Sequence, residues 1–250
     1  MRVLALDTTT RGGSVAIAED GRVVFERMGD GARSHAERLP AELIDALHTV
    51  GWSMSDIDLF AVASGPGSFT GLRIGIATMQ GLAFVHGKRV AAVSALRALA
   101  EAAATGAPPG TRVGAWMDAS RREVFSALYD VASRPHDDSV TLTDVEAPTA
   151  SPPASTIERW SQLGLPSSLC GEGAMKYAPL VPTSIRVLPS PALAPIVARL
   201  ALMQHAAGDT RTPAGVQPLY VRRPDVEIVR EATREARLRP SSMWPNGSPR

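Results

Sequence analysis

Ala63-Ser64-Gly65-Pro66-Gly67-Ser68-Phe69-Thr70-Gly71-Leu72-Arg73-Ile74-Gly75 is the stretch on which the fold turns. It joins an apolar run, Leu59 to Ala63, to a long helical pattern, Ser68 to His86. Such a turn brings bare backbone amides to the start of a helix. The first N–H groups of a helix lack internal partners and carry partial positive charge, which suits an anion or phosphate. The alternative is a glycine-permitted tight turn that only positions two helices. The common phosphate loops do not fit. Counted from Gly65, a P-loop needs Gly where Thr70 stands and Lys where Gly71 stands, and G-x-G-x-x-G also needs Gly at Thr70. No G-x-S-x-G occurs, so no nucleophile elbow is offered.

Outward from this turn the chain alternates strands and helices. Val3 to Leu6 reads as a buried strand ending at Asp7, followed by the turn Thr8 to Gly13. Ser14 to Ala18 and Arg22 to Arg27 form a hairpin about Asp20-Gly21. Ser34 and Glu37 make a capping box for a helix bearing Leu39, Leu43, Ile44, Leu47 and Val50, which stops at Gly51. The helix from Ser68 has Gly87 as its C-cap, and a strand (Arg89 to Val93) and an alanine-rich helix (Ser94 to Ala104) follow. Thr105 to Gly110 breaks the pattern.

The second half restarts in the same style. Val113 to Met117 is a strand ending at Asp118, followed by a polar turn and the strand Val124 to Tyr129. Asp7-Thr8-Thr9 and Asp118-Ala119-Ser120 occupy the same place, which reads as an internal duplication. Pro148 to Pro153 reads as a loop, and Thr156 to Leu163 and Pro191 to Ala207 as helices. The expected fold is α/β, a duplicated actin-like (ribonuclease H-like) architecture of two subdomains, 1–105 and 110–225. Residues 226–250, charged and rich in Pro and Ser, are expected to be a disordered tail.

The bulk numbers narrow the function. Lys+Arg 26 against Asp+Glu 25 gives +1, so no global field draws the chain to nucleic acid or membrane. Seven arginines against four acidic residues from Arg222 onward make that end +3 and the rest −2. Cys170 is the one cysteine, which rules out an internal disulfide and reads as a buried thiol. There is no signal-peptide pattern and no apolar run of membrane-spanning length, so a cytoplasmic protein is expected.

Leu4 to Thr9, Ser64 to Gly75 and Pro218-Leu219-Tyr220-Val221-Arg222-Arg223-Pro224 together resemble the TsaB (YeaZ) family of bacterial tRNA threonylcarbamoyladenosine biosynthesis proteins. The resemblance implies an accessory subunit rather than an enzyme. The catalytic cousin, TsaD, transfers a threonylcarbamoyl group to the adenosine 3′ of the anticodon in tRNAs reading codons that begin with A. TsaD carries a His-x-x-x-His pair that can bind one metal. The matching region here, Val93 to Leu99, has no histidine, and the five His (35, 48, 86, 136, 205) are scattered, so no metal site is expected.

The resemblance further implies pairing with TsaD, or with a second copy of the chain when alone, and contact with the small ATPase TsaE. It implies tRNA contact through the complex, and ATP or ADP at the partner interface rather than an intrinsic cofactor. The helices implied to pair carry Leu39, Leu43, Leu47, Gly71, Leu72, Arg73, Gly75, Ile76 and Met79. Gly71 and Gly75 serve either sheet packing or a subunit contact, and Arg73 either a clamp or a solvated helix face. Asp7, Thr8, Thr9, Gly65, Gly67, Ser68 and Thr70 are the residues nearest a phosphate or nucleotide. Asp7 either coordinates magnesium through water or caps its own turn; without a Lys or second carboxylate nearby, a hydrolytic site is poorly furnished. The rival readings are a stand-alone actin-like ATPase or peptidase-like hydrolase, and a direct tRNA binder.

Overall fold

A computed structural model describes residues 1–134 and 137–222. His136, Arg223, Pro224 and the expected tail 226–250 lie outside the described residues. Five strands, β1 (Arg2–Asp7), β2 (Ser14–Glu19), β3 (Arg22–Met28), β4 (Leu59–Gly65) and β5 (Arg89–Ser94), form one sheet in the order β3-β2-β1-β4-β5. Five more, β6 (Arg112–Asp118), β7 (Val124–Arg134), β8 (Asp137–Ser151), β9 (Ser168–Cys170) and β10 (Arg186–Leu188), form a second in the order β10-β9-β6-β7-β8. In each sheet the first three strands are antiparallel to their neighbours and the last two run parallel to the first. The same order and sense twice over is the duplicated ribonuclease H-like architecture of the actin-like fold.

The local reasons are in the residues. Asp20 (φ 49°) and Gly21 (φ 84°) turn β2 into β3 with the two positive φ values that a right-twisted hairpin needs. The Ser34 amide donates to the Glu37 carboxylate at 3.0 Å and starts α1 (His35–Thr49). Ser68 starts α2 (Phe69–Val85), its hydroxyl accepting from the Gly71 amide at 3.2 Å.

Strands β1 and β4 are apolar throughout because both faces of their sheet are covered. Leu4, Leu6, Ile17, Phe60 and Val62 point to α1 and α2. Val3, Ala5, Ala16 and Ala61 point to the space between the sheets, filled by α3 (Ala95–Ala103) and α6 (Ala194–Ala206). The second sheet covers its outer face with α4 (Pro153–Leu163) and α5 (Glu172–Lys176), around Trp116 and Trp160. The chain does not stay with the second sheet to its end. Helix α6 packs on β1 and β2, and Arg211 bridges to Val90 of β5. Among the described residues no helix is long and apolar enough to cross a membrane.

One local expectation is corrected. Pro148 to Pro153 is not simply a loop: β8 continues to Ser151. An edge strand tolerates proline, and the ladder skips at this point, Thr149 pairing with Ser126 but Glu146 with Leu128.

The helix stripe read as a partner surface is also corrected. Leu39, Leu43, Leu47, Gly71, Leu72, Gly75, Ile76 and Met79 are buried in the chain's own core, and of that set only Arg73 is exposed. The stripe is apolar because it covers the sheet, which the periodicity of one sequence cannot distinguish from a stripe covering a partner.

Candidate functional site

The two sheets diverge around a cleft of about 830 Å³, built from the turns that follow equivalent strands. At the end of β1, Asp7 is buried and its Oδ1 accepts from the Thr9 amide (2.8 Å) and hydroxyl (2.6 Å). At the end of β6, Asp118 Oδ1 accepts from the Ser120 amide (3.1 Å), so the duplication holds at the level of one hydrogen bond. The second turn is the more strained. Ser120, Arg121 and Arg122 have φ of 60°, 51° and 63°, a left-handed run that costs each non-glycine residue about 1 kcal/mol.

The turns after the fourth strands also match. Gly65-Pro66-Gly67 leads into α2 and Gly171-Glu172-Gly173 into α5. Gly65 (φ 118°) passes under the backbone of Leu219, where a Cβ would come within 2.9 Å of the Leu219 carbonyl oxygen. At Gly67 a Cβ would meet Thr9 at 2.6 Å, and the Ser68 amide donates to the Thr9 carbonyl at 2.8 Å. The Gly/Pro turn is therefore locked against the turn after β1.

Of the residues read as phosphate-proximal, the structure brings Asp7, Thr9, Gly67 and Ser68 to the cleft. Thr8 turns beneath α2, its hydroxyl donating to the Gly71 carbonyl at 2.8 Å. Gly65 lies under Leu219, and Thr70 is exposed on the first turn of α2 outside the cleft lining.

The expectation that Asp7 has no second carboxylate nearby is overturned by Glu172, which lines the same cleft. Burial raises the pKa of Asp7, against the opposing hydrogen bonds from Thr9. Burial likewise raises that of Glu172, with the charge of Asp7 adding to the shift. Glu172 Oε2 is buried and has no hydrogen-bond partner. A lysine is present too: Lys176 donates to Asp118 Oδ2 at 2.6 Å. The signal for Glu172 was the second Gly-x-Gly after a short apolar run, visible only once the duplication is extended past Asp118. Cys170, just before it, has its pKa pushed up to about 12 by burial, so it is a thiol at neutral pH.

Behind the β1–β2 turn lies a buried ionic group. Arg38 donates through Nη1 to both oxygens of Glu42 (2.7 and 2.6 Å) and through Nη2 to the Gly12 carbonyl. Its Nη2 is also 2.6 Å from His35 Nδ1, and His35 Nε2 is 3.0 Å from the Thr10 carbonyl. An Nε2–H tautomer satisfies both contacts, and burial, reinforced by Arg38, lowers the His35 pKa in agreement with a neutral ring.

A strap closes one side of the cleft. The Leu219 amide donates to the Ser64 carbonyl at 2.7 Å. Tyr220 stacks on Phe69 with ring centroids 5.4 Å apart. Arg222 then reaches the other half, donating to Glu123 Oε2 (2.7 Å) and to the Ala119 carbonyl (3.0 Å). The strap's signal was the Pro218 to Pro224 motif, whose described part now has a physical task.

Fold and cleft together define a protein of the duplicated actin-like class. A family model described as "TsaD: tRNA N6-adenosine threonylcarbamoyltransferase" matches residues 29–161. The tRNA threonylcarbamoyladenosine biosynthesis protein TsaB of Escherichia coli is 44% identical over 133 residues, 52% of this chain and 55% of that protein. The match thus spans about half the length of that relative. An uncharacterised protein of Mycobacterium tuberculosis is 33% identical over 231 residues, covering 90% of this chain and 93% of the other. The solved structure of YeaZ from Pseudomonas aeruginosa superposes with a TM-score of 0.70 at 30% identity, covering 88% of this chain and 99% of that one. The chain belongs to the TsaB/YeaZ family.

Proposed function

We propose that this chain is an accessory subunit in tRNA threonylcarbamoyladenosine biosynthesis, acting by docking to a TsaD-type transferase rather than by performing the transfer. The observation that carries this reading is the kinship with E. coli TsaB, joined to the missing His-x-x-x-His pair in the sequence. A docking role also suits the surface. Ile44 of α1 and Phe84 and Val85 of α2 are 65%, 78% and 77% exposed, too much apolar area for three large side chains to leave idle. The same face pairs two copies when the chain is alone. Contact with TsaE, tRNA held through the complex, and ATP or ADP at the partner interface complete the proposal.

Reconstitution is the test. Purified TsaD, TsaE, tRNA and threonylcarbamoyl-adenylate are combined with and without this chain, and modified adenosine is quantified. Modification is expected only with the chain present; full modification in its absence removes the reading. The cleft carboxylates Asp7 and Glu172 favour one second reading, a stand-alone ATPase. Its mark is ATP turnover by the isolated chain that is lost in Asp7→Ala.

A further inference from the structure

We propose that Phe69 and Tyr220 form a stacking platform for the ring of a nucleotide bound in the cleft of this chain by itself. Both rings line the cleft, and both are left open, 38% and 40% exposed. Aromatic rings packed for stability alone are more fully covered. These two are held in place instead. The Arg73 guanidinium lies over one face of Phe69, 3.8 Å from its centroid, and its Nε donates to the Tyr220 hydroxyl at 3.2 Å. Tyr220 sits on the strap, pinned to the first half at Ser64 and to the second through Arg222. The platform therefore has a fixed position before any ligand arrives, which lowers the entropy lost on binding.

The rest of the cleft selects the ligand class. Its volume of about 830 Å³ lies in the range of small-molecule sites rather than of flat protein contacts. Arg11 and Arg121, on the equivalent turns after β1 and β6, bring positive charge to the lining. Asp7 and Glu172 bring acceptors, with Glu172 Oε2 still lacking a donor. A ring to stack, an anionic group and hydroxyl donors on one small molecule describe a nucleoside phosphate. Stacking tolerates any base, so this platform reads the presence of a ring rather than its identity.

The test titrates the full chain with ADP and, as the ring-less comparison, ribose 5-phosphate, by calorimetry and saturation-transfer NMR. ADP is expected to bind more tightly, with its adenine protons more strongly saturated than its ribose protons. Tyr220→Ala should weaken ADP about tenfold, while Tyr220→Phe stays near the native value and ribose 5-phosphate is unchanged in both. Phe69→Leu, at a second exposed position, should act like Tyr220→Ala. ADP affinity indifferent to both ring deletions overturns the platform, and so does a chain that binds no ADP. Rings that leave ADP untouched but are needed for TsaD capture belong to a protein interface, which equally overturns the proposal. None of these results bears on the reconstitution experiment, so the accessory-subunit reading stands or falls separately.

Discussion

The Thr8 hydroxyl donates to the Gly71 carbonyl at 2.8 Å, tying the end of β1 to the first turn of α2 inside the protein. One helical turn further on, a Cβ at Gly75 would collide with the same Thr8 hydroxyl, and a Cβ at Gly71 with the Thr8 carbonyl. The two glycines four apart thus serve close packing of α2 on β1, not a contact between subunits. Gly75→Ala is expected to destabilise the protein by about 2 kcal/mol or more, because backbone and a buried hydroxyl must move. Gly81→Ala, on the open side of the same helix with nothing near its Cβ position, is expected to stabilise it by up to about 1 kcal/mol. Denaturant unfolding of both variants checks the pair; equal stabilities would remove this account of the spacing.

The buried carboxyl of Asp7 makes stability depend on pH in a defined sense. Burial raises its pKa above that of the unfolded chain. The folded state therefore binds the proton more readily, and stability from this group is present at low pH and lost as pH rises through the folded pKa. Asp7→Asn keeps an oxygen to accept from Thr9 and removes the charge. The variant should melt a few degrees higher at pH 7, the gap closing towards pH 4, where the native carboxyl is protonated too. A gap that is constant with pH, or of the opposite sign, contradicts the assignment.

Much of the fold was legible because the relevant signals are local. Asp20-Gly21, the Ser34/Glu37 box and the capping residue Ser68 each act through a turn or a helix end, and each fell where the residues put it. The repeated Asp turn was legible for the same reason, since an Asx turn spans three residues. What was not legible needed distance. Whether Leu39 or Ile44 faces the sheet depends on how α1 is rotated, and both lie on one broad apolar arc of the helix; the structure buries the first and exposes the second. Glu172 and Tyr220 reach the cleft from positions far along the chain from Asp7, and no periodicity encodes that approach. The return of α6 to the first sheet likewise has no mark in the sequence, because an apolar helix fits either sheet.

The Arg38 group should be needed for the shape of the β1–β2 turn. Arg38 is buried, holds both oxygens of Glu42 and caps the Gly12 carbonyl, while His35 holds Thr10. Arg38→Met fills most of the volume but leaves the Glu42 carboxylate without its cation, which typically costs about 3 kcal/mol or more. Hydrogen exchange over residues 10–13 should accelerate in the variant well beyond the global change. The double variant Arg38→Met, Glu42→Leu should recover most of the loss, since no lone charge is then left buried. A single variant as stable as the native chain would show that the ion pair does not support the turn.

The docking face gives the sharpest separation of surface from core. Ile44 and Phe84 are exposed on α1 and α2, whereas Leu39 and Ile76 of the same helices are buried under them. Ile44→Asp and Phe84→Ser replace solvent-exposed apolar groups and should leave the melting temperature within about one degree, as surface substitutions do. If these helices dock, each should weaken capture of TsaD by tenfold or more, because a charge or a lost aromatic at the centre of an apolar contact is among the costliest interface changes. Leu39→Ala should do the reverse, losing about 2 to 4 kcal/mol of stability through its cavity while the fraction still folded binds as before. Paired melting and pull-down measurements on the three variants distinguish the outcomes. Native affinity in both surface variants would place the docking face elsewhere on the chain.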